Sequence, residues 1–313
     1  MRRRRSAGVK THRVAGVACA IAALAAPLLL GQQPHGRPAG TFERLRSGGS
    51  LRLGFRADAR PFSFTDPTGR PAGFSVSLCE RIAAAVKREL GVGSLALEWV
   101  PLVVDSRFQT LKQGAIDVIC GAETETLARR EDASFSIPIF PGGIGVIVRA
   151  DAVRLKEVLS GREISHPIWR AAATRALQAR AFSVVEDTTS ERWLTDRMRE
   201  LDVIAGVTRV KGYDAGVQAV MERRSDAFFG ERAILLDAVK RYAHADNLVV
   251  LDRQFTYERL ALAIQRNDEA FRLLVDRTLS QLYMSGEIVP LYAGSFGEPD
   301  ANALAFFQWN TLR

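Results

Sequence analysis

With 313 residues, 47% hydrophobic and 25% charged, the chain is long enough for two ordinary domains and too apolar to be disordered. Its net charge of +8 invites a nucleic-acid reading. Arg2, Arg3, Arg4, Arg5, Lys10 and Arg13 supply six of those charges within a leader free of Asp and Glu, so only +2 remains elsewhere and no basic, nucleic-acid-binding domain is expected.

The basic leader runs into the apolar VAGVACAIAALAAPLLLG and then the polar QQPHGRPAG. This is the form of a secretory signal peptide over residues 1–31, with Ala23-Leu24-Ala25 as a candidate cleavage site. The apolar run also reaches the lower edge of a membrane span, so an uncleaved anchor stays open. The rest of the chain is expected to be exported to the periplasm and soluble. Residues 32–43 are rich in Gly and Pro and read as a linker.

LRLGFRA (51–57) alternates as a strand does, and the Pro/Gly-rich 58–73 reads as a loop with a hairpin-like turn. Ser77 and Glu80 form a capping box for a helix to Leu90, with Leu78, Ile82, Ala85 and Val86 on its buried stripe. LALEWVPL (95–102) is a second strand. Asp105 is placed to cap a short helix bearing Phe108 and Leu111, which Gly114 ends. AIDVIC (115–120) has the length and β-branching of a buried strand, closed by Gly121. A polar turn follows, and a helical turn begins at Leu127-Ala128-Arg129. A buried strand opening into a Gly/Thr loop with arginine beyond it suits a small anion.

The extended PIFPGGIGVIV (138–148) leaves the first domain. LKEVLSG and WRAAATRALQARA read as helices, AFSVVE (181–186) as a strand, and Thr188-Thr189-Ser190 as the cap of a helix carrying Trp193, Leu194 and Met198. VIAGVTRV is a strand, 214–223 a helix, DAFFG (226–230) a short buried strand, and Glu231 opens a helix to Tyr242. NLVVL and RLALAI are strands. Asp268 caps a long helix, and a short helix containing Tyr292 precedes a tail. Alternating strands and helices predict an α/β chain with mainly parallel sheets. Crossings near 139–143 and 256–260 divide it into a first lobe (44–140 and 259–313) and an inserted second lobe (141–258), an arrangement that permits hinge closure. Past the leader, Cys79 and Cys120 are most simply buried thiols, with pairing open in an oxidising compartment.

Four segments carry a family resemblance: GFRADARPFSF with GFSVSLCERI; DSRFQTLKQGAIDVICGAETETLARREDASFS; TTSE; and DAFFGERAILL with SGEIVPLYAG. They resemble type II periplasmic solute-binding proteins of the polar amino-acid family (family 3), in the glutamate/aspartate branch serving ABC importers. The resemblance implies the two-lobed type II periplasmic-binding-protein fold, each lobe a sheet flanked by helices. It also implies an amino-acid ligand, an ABC permease as partner, a monomer, no cofactor and no catalysis. Arg129, with Thr124 and the backbone at Ala122, matches the holder of the ligand α-carboxylate; Thr189 matches a threonine facing it from the second lobe. Glu231 matches the acid that takes the α-ammonium. Arg56 and Arg107 match arginines that hold an acidic side chain, and Tyr213 falls where a histidine helps.

Independent physics favours these roles. A guanidinium offers two parallel donors to a carboxylate, and a helix N-terminus adds free N–H groups. Three arginines and one glutamate sum to +2, which suits an acidic guest. Plainer readings stand beside them: solvated arginines, Glu231 as an ordinary first-turn acid, Thr124 and Thr189 as simple helix caps. Asp187 stands where a glycine is usual, Ala122 where serine is common, and Leu260-Ala261 where Tyr-Gly is usual at the return crossing. A cyclic-carboxylate dehydratase using Glu231 as general acid, and an anchored sensor, are the alternative functions.

Overall fold

The computed structural model describes residues 40–161, 175–242 and 247–313. The leader, most of the linker, and residues 162–174 and 243–246 lie outside them. The start of the helix expected at WRAAATRALQARA falls there too.

After a short helix α1 (Thr41–Arg46), strand β1 (Leu51–Arg56) leads into a small sheet of β2 (Asp58–Ala59), β3 (Ser63–Thr65) and β4 (Pro71–Ala72). Helix α2 (Phe74–Leu90) then returns the chain to β5 (Leu97–Leu102), and α3 (Arg107–Lys112) leads to β6 (Val118–Thr124). β7 (Ala133–Phe135) and β8 (Phe140–Gly142) follow a single 3-10 turn at Arg129–Glu131. Late in the chain β14 (Glu258–Gln265) completes the first sheet, in the order β5-β1-β6-β14-β7 with β8 also on β14. β5, β1 and β6 are parallel, and β14 runs antiparallel to its neighbours. The sheet is thus mixed: the α2 and α3 crossovers impose parallel pairing, while β14 enters after the chain has built a second sheet.

The intervening chain builds a second mixed sheet. It uses β9 (Ile144–Arg149), α4 (Val153–Ser160), β10 (Ala181–Val185), α5 (Thr189–Glu200), β11 (Gly206–Val210), α6 (Tyr213–Met221), β12 (Ala227–Glu231), α7 (Arg232–Arg241) and β13 (Leu248–Val250). Its order is β11-β10-β12-β9-β13, parallel from β11 to β12 and antiparallel beyond. Only Gly143 separates β8 in one sheet from β9 in the other. A Cβ there would lie 2.0 Å from the Thr256 carbonyl oxygen, so the two crossing segments touch backbone to backbone.

α8 (Glu269–Ser285), α9 (Ile288–Phe296) and α10 (Ala301–Trp309) close the chain. α10 occupies what reads in sequence as a tail. Asp300 caps it, accepting from the Ala303 N–H at 2.8 Å, and Phe307 anchors it against Tyr283 and Tyr292. Phe62, Phe140 and Phe296 form an aromatic cluster with ring centroids 4.7–5.2 Å apart.

Three local expectations change. α2 begins at Phe74 after Gly73, three residues before the supposed capping box; burial of Phe74 and Val76 outweighs the cap. α3 starts after Ser106 without a side-chain cap from Asp105. β6 passes Gly121 and runs to Thr124, because β14 pairs alongside it, Ala261 with Glu123 and Leu260 with Thr124. Cys79 and Cys120 form a disulfide that ties α2 to β6, replacing the reading as free thiols.

Candidate functional site

The ends of β1, β6 and β12, with the N-terminus of α5, converge on one cavity. All eight expected residues line it: Arg56, Arg107, Ala122, Thr124, Arg129, Thr189, Tyr213 and Glu231. Its free volume is about 40 Å³, room for a water or two, so a larger guest requires the walls to part. A larger cavity of about 640 Å³ lies within the second sheet's half of the chain. Its walls are mainly apolar, among them Phe182, Trp193, Phe229 and Phe255, and its charged residues are Arg253 and the exposed, mutually paired Arg197 and Glu200.

Arg129 stands on the turn after β6. One Nη donates to the Thr124 carbonyl at 2.8 Å, and the guanidinium lies 4.9 Å from the Phe108 ring. The nearest carboxylate, Glu123, is 3.9 Å away. Burial lowers the Arg129 pKa to about 10, only partly offset by Glu123. This cation has lost water for a single long ion pair, to a carboxylate that Arg107 holds more closely.

Glu231 is its counterpart. It ends β12 and caps α7, accepting from the Gly143 N–H at 2.9 Å and the Ala233 N–H at 3.3 Å. Burial pushes its pKa up to about 8; the two backbone N–H bonds pull the other way, and nearby Glu258 adds to the rise. Capping and lining the cavity are thus one position's two tasks. A carboxyl in this state gains most from an ammonium group.

Thr188, not Thr189, caps α5, accepting from the Glu191 N–H at 3.3 Å. That leaves the Thr189 hydroxyl at the cavity, 3.3 Å from that of Thr124. Both bond Glu258 Oε2, Thr124 at 2.6 Å and Thr189 at 3.2 Å, so one carboxylate bridges β6 and α5. Thr256 holds the other oxygen of Glu258 at 2.9 Å. Asp187, just before the cap, has φ +55°, in the left-handed region that favours glycine and that Asp tolerates better than most residues.

Both remaining arginines are engaged within the chain. Arg56 grips Asp58 with Nε at 3.0 Å and one Nη at 2.8 and 2.9 Å, and its guanidinium lies 6.0 Å from the Tyr213 ring. Burial raises the Tyr213 hydroxyl well above its ordinary pKa, so it serves as a neutral wall. Arg107 donates from Nε to Glu123 at 2.9 Å and from an Nη to the Val104 carbonyl. The Arg107 and Glu123 side chains are 4% and 5% exposed. Burial works to raise the Glu123 pKa, but Arg107, Arg129 and Arg56 outweigh it and hold the carboxyl below the usual range.

The expected cleft charge of +2 is therefore corrected. Asp58, Glu123 and Glu258 join Glu231 against three arginines, giving a formal −1 with every carboxyl ionised and 0 while Glu231 holds its proton. Glu123 escapes notice in sequence because AETET reads as a polar turn; its period-2 alternation after VICG is the one signal that extends the strand through it. Glu258 is distant in sequence and reaches Thr124 only through the pairing of β14 with β6.

Residues 51–298 match the family of bacterial extracellular solute-binding proteins, family 3. The chain is 27% identical over 265 residues to an L-glutamate/L-aspartate-binding protein of Pseudomonas aeruginosa, covering 83% of this chain and 81% of the relative. It is 25% identical to a glutamate/aspartate import solute-binding protein of Escherichia coli, covering 90% and 88%. A mutant of ArgBP from T. maritima superposes with a TM-score of 0.66 at 25% identity, covering 82% of this chain and 99% of that one. The match spans both sheets and every cavity residue described above: the chain belongs to the bacterial extracellular solute-binding proteins, family 3, a binding rather than a catalytic family.

Proposed function

We propose that this chain is the substrate-binding component of an ABC-type amino-acid importer. It takes an α-amino acid between its two lobes in the periplasm, as a monomer, and hands it to a membrane permease. One observation carries this reading: Arg129, whose nearest carboxylate is the already paired Glu123 at 3.9 Å, and Glu231, held by two backbone N–H groups, are both desolvated and line the same cavity. A zwitterion supplies each with a close charged partner. Its carboxylate meets Arg129 and the threonine hydroxyls, exchanging with the Glu258 carboxylate there; its ammonium meets Glu231. The lobes separate at Gly143 and at the segment before β14, the only two crossings among the described residues.

Among α-amino acids, glutamate and aspartate are favoured by the names of two relatives and disfavoured by the internal ion pairs of Arg56 and Arg107. A thermal-shift panel of the twenty amino acids tests the reading. A ligand at 100 times its Kd stabilises by about 2.7 kcal/mol. Arg129→Ala is expected to cut that stabilisation to about 0.9 kcal/mol or less through a loss of at least about 30-fold in affinity, as for one partner of a buried ion pair. A panel without a single stabilising amino acid, or an unaffected Arg129→Ala, refutes it.

A further inference from the structure

The side-chain end of the cleft carries its own carboxylates. Arg107 is already bonded to Glu123 and Arg56 to Asp58. We propose that Glu123 and Asp58 act as built-in occupants of these arginines, so that the cleft selects an amino acid with an uncharged side chain. This rests on the α-amino-acid reading above and adds the class of side chain.

Displacement is unfavourable on geometric grounds. Glu123 and Arg107 are almost completely enclosed. A guest carboxylate bonding Arg107 would either strand Glu123 as a buried charge without its partner or sit beside it as a like charge. Glu258, next along the same wall, would make a third. The Glu123 carboxylate lies over Gly121, where an added Cβ would come within 3.3 Å of Oε1. Asp58 is the looser of the two, 39% exposed against 7% for Arg56, but it holds the guanidinium with both oxygens.

A cationic side chain fares no better. Asp58 and Glu123 are held by arginines, Thr256 keeps one oxygen of Glu258, and the ligand ammonium takes Glu231. The remaining walls are Ala59, Phe62, Ile234 and Leu260, which suit an uncharged group.

The test is calorimetric titration of the purified chain at pH 8 with alanine, serine, glutamine, aspartate, glutamate, lysine and arginine. An uncharged amino acid is expected to lead, with glutamine binding at least about tenfold more tightly than its isostere glutamate, the least expected when a buried charge lacks a partner. Glu123→Gln releases Arg107 and is expected to narrow the gap between glutamine and glutamate by about tenfold or more. A lead for glutamate, aspartate, lysine or arginine overturns this inference and leaves the head-group reading standing. Binding of none of the seven, nor of the other amino acids, overturns both. An unchanged glutamine/glutamate ratio in folded Glu123→Gln overturns the role of Glu123. If that variant fails to fold, the wild-type ranking decides the side-chain class, and Asp58→Asn, at the more exposed site, tests the surrogate role on Arg56 by the same ratio.

Discussion

Replacing Glu231 with Gln should make the protein more stable and a poorer binder, and should abolish a proton linked to binding. With a pKa of about 8, Glu231 is ionised in only about a tenth of the free molecules at pH 7. An ammonium ligand requires the carboxylate, so binding at pH 7 should release close to one proton. Affinity should then rise about tenfold per pH unit between roughly pH 5.5 and 7.5 and level off near pH 8. The stability sign is the opposite. The folded chain holds this proton up to about pH 8, whereas an unfolded carboxyl releases it near its model value of 4.5. Between those values the native state binds more protons, so stability falls as pH rises, by at most about 1.4 kcal/mol per unit and about 5 kcal/mol in all. Glu231→Gln removes that loss. Its melting temperature should exceed wild type at pH 8 and converge with it near pH 4.5, while amino-acid affinity at pH 8 drops at least about 30-fold. Titration in two buffers of different ionisation enthalpy counts the proton, and melting curves from pH 4.5 to 8 follow the stability. A pH-independent affinity with no proton released would refute the placing of the ammonium on Glu231.

Two further outcomes follow from the crossing and the disulfide. Gly143→Ala puts a Cβ 2.0 Å from the Thr256 carbonyl and 2.3 Å from Gln254 Nε2. It should cost about 1–3 kcal/mol as an overpacked site, and it should weaken ligand binding by shifting the N–H that holds Glu231; wild-type melting and affinity would sink the close-contact argument. Reducing Cys79–Cys120, which are 41 residues apart, should lower stability by about 4 kcal/mol on the chain-entropy relation. An unchanged melting curve in reductant, with both thiols shown to be free, would contradict that.

Most of the cleft's vocabulary is local and therefore legible in the chain. Thr188 caps its helix by bonding the N–H three residues on, Glu231 sits at a strand–helix junction, and Arg129 follows a strand and turn. Short-range hydrogen bonds and hydrophobic periodicity fix where such features fall along the chain; that the eight expected residues belong to one site came from the family resemblance. Even α10 carried a readable signal in Asp300 and the apolar residues after it.

What only the tertiary structure decided was the company these residues keep. Glu123 lies 16 residues from Arg107, and whether it faces that arginine depends on β6 continuing past Gly121, which depends on β14 arriving from 134 residues away. The pairing of Cys79 with Cys120 likewise needed α2 laid over β6. Local propensity stops at a turn or a glycine, whereas strand pairing and burial act across the whole chain. The charge of the cleft is a sum over long-range neighbours, so its formal value, with every carboxyl counted as ionised, fell from +2 to −1 once those neighbours were in place.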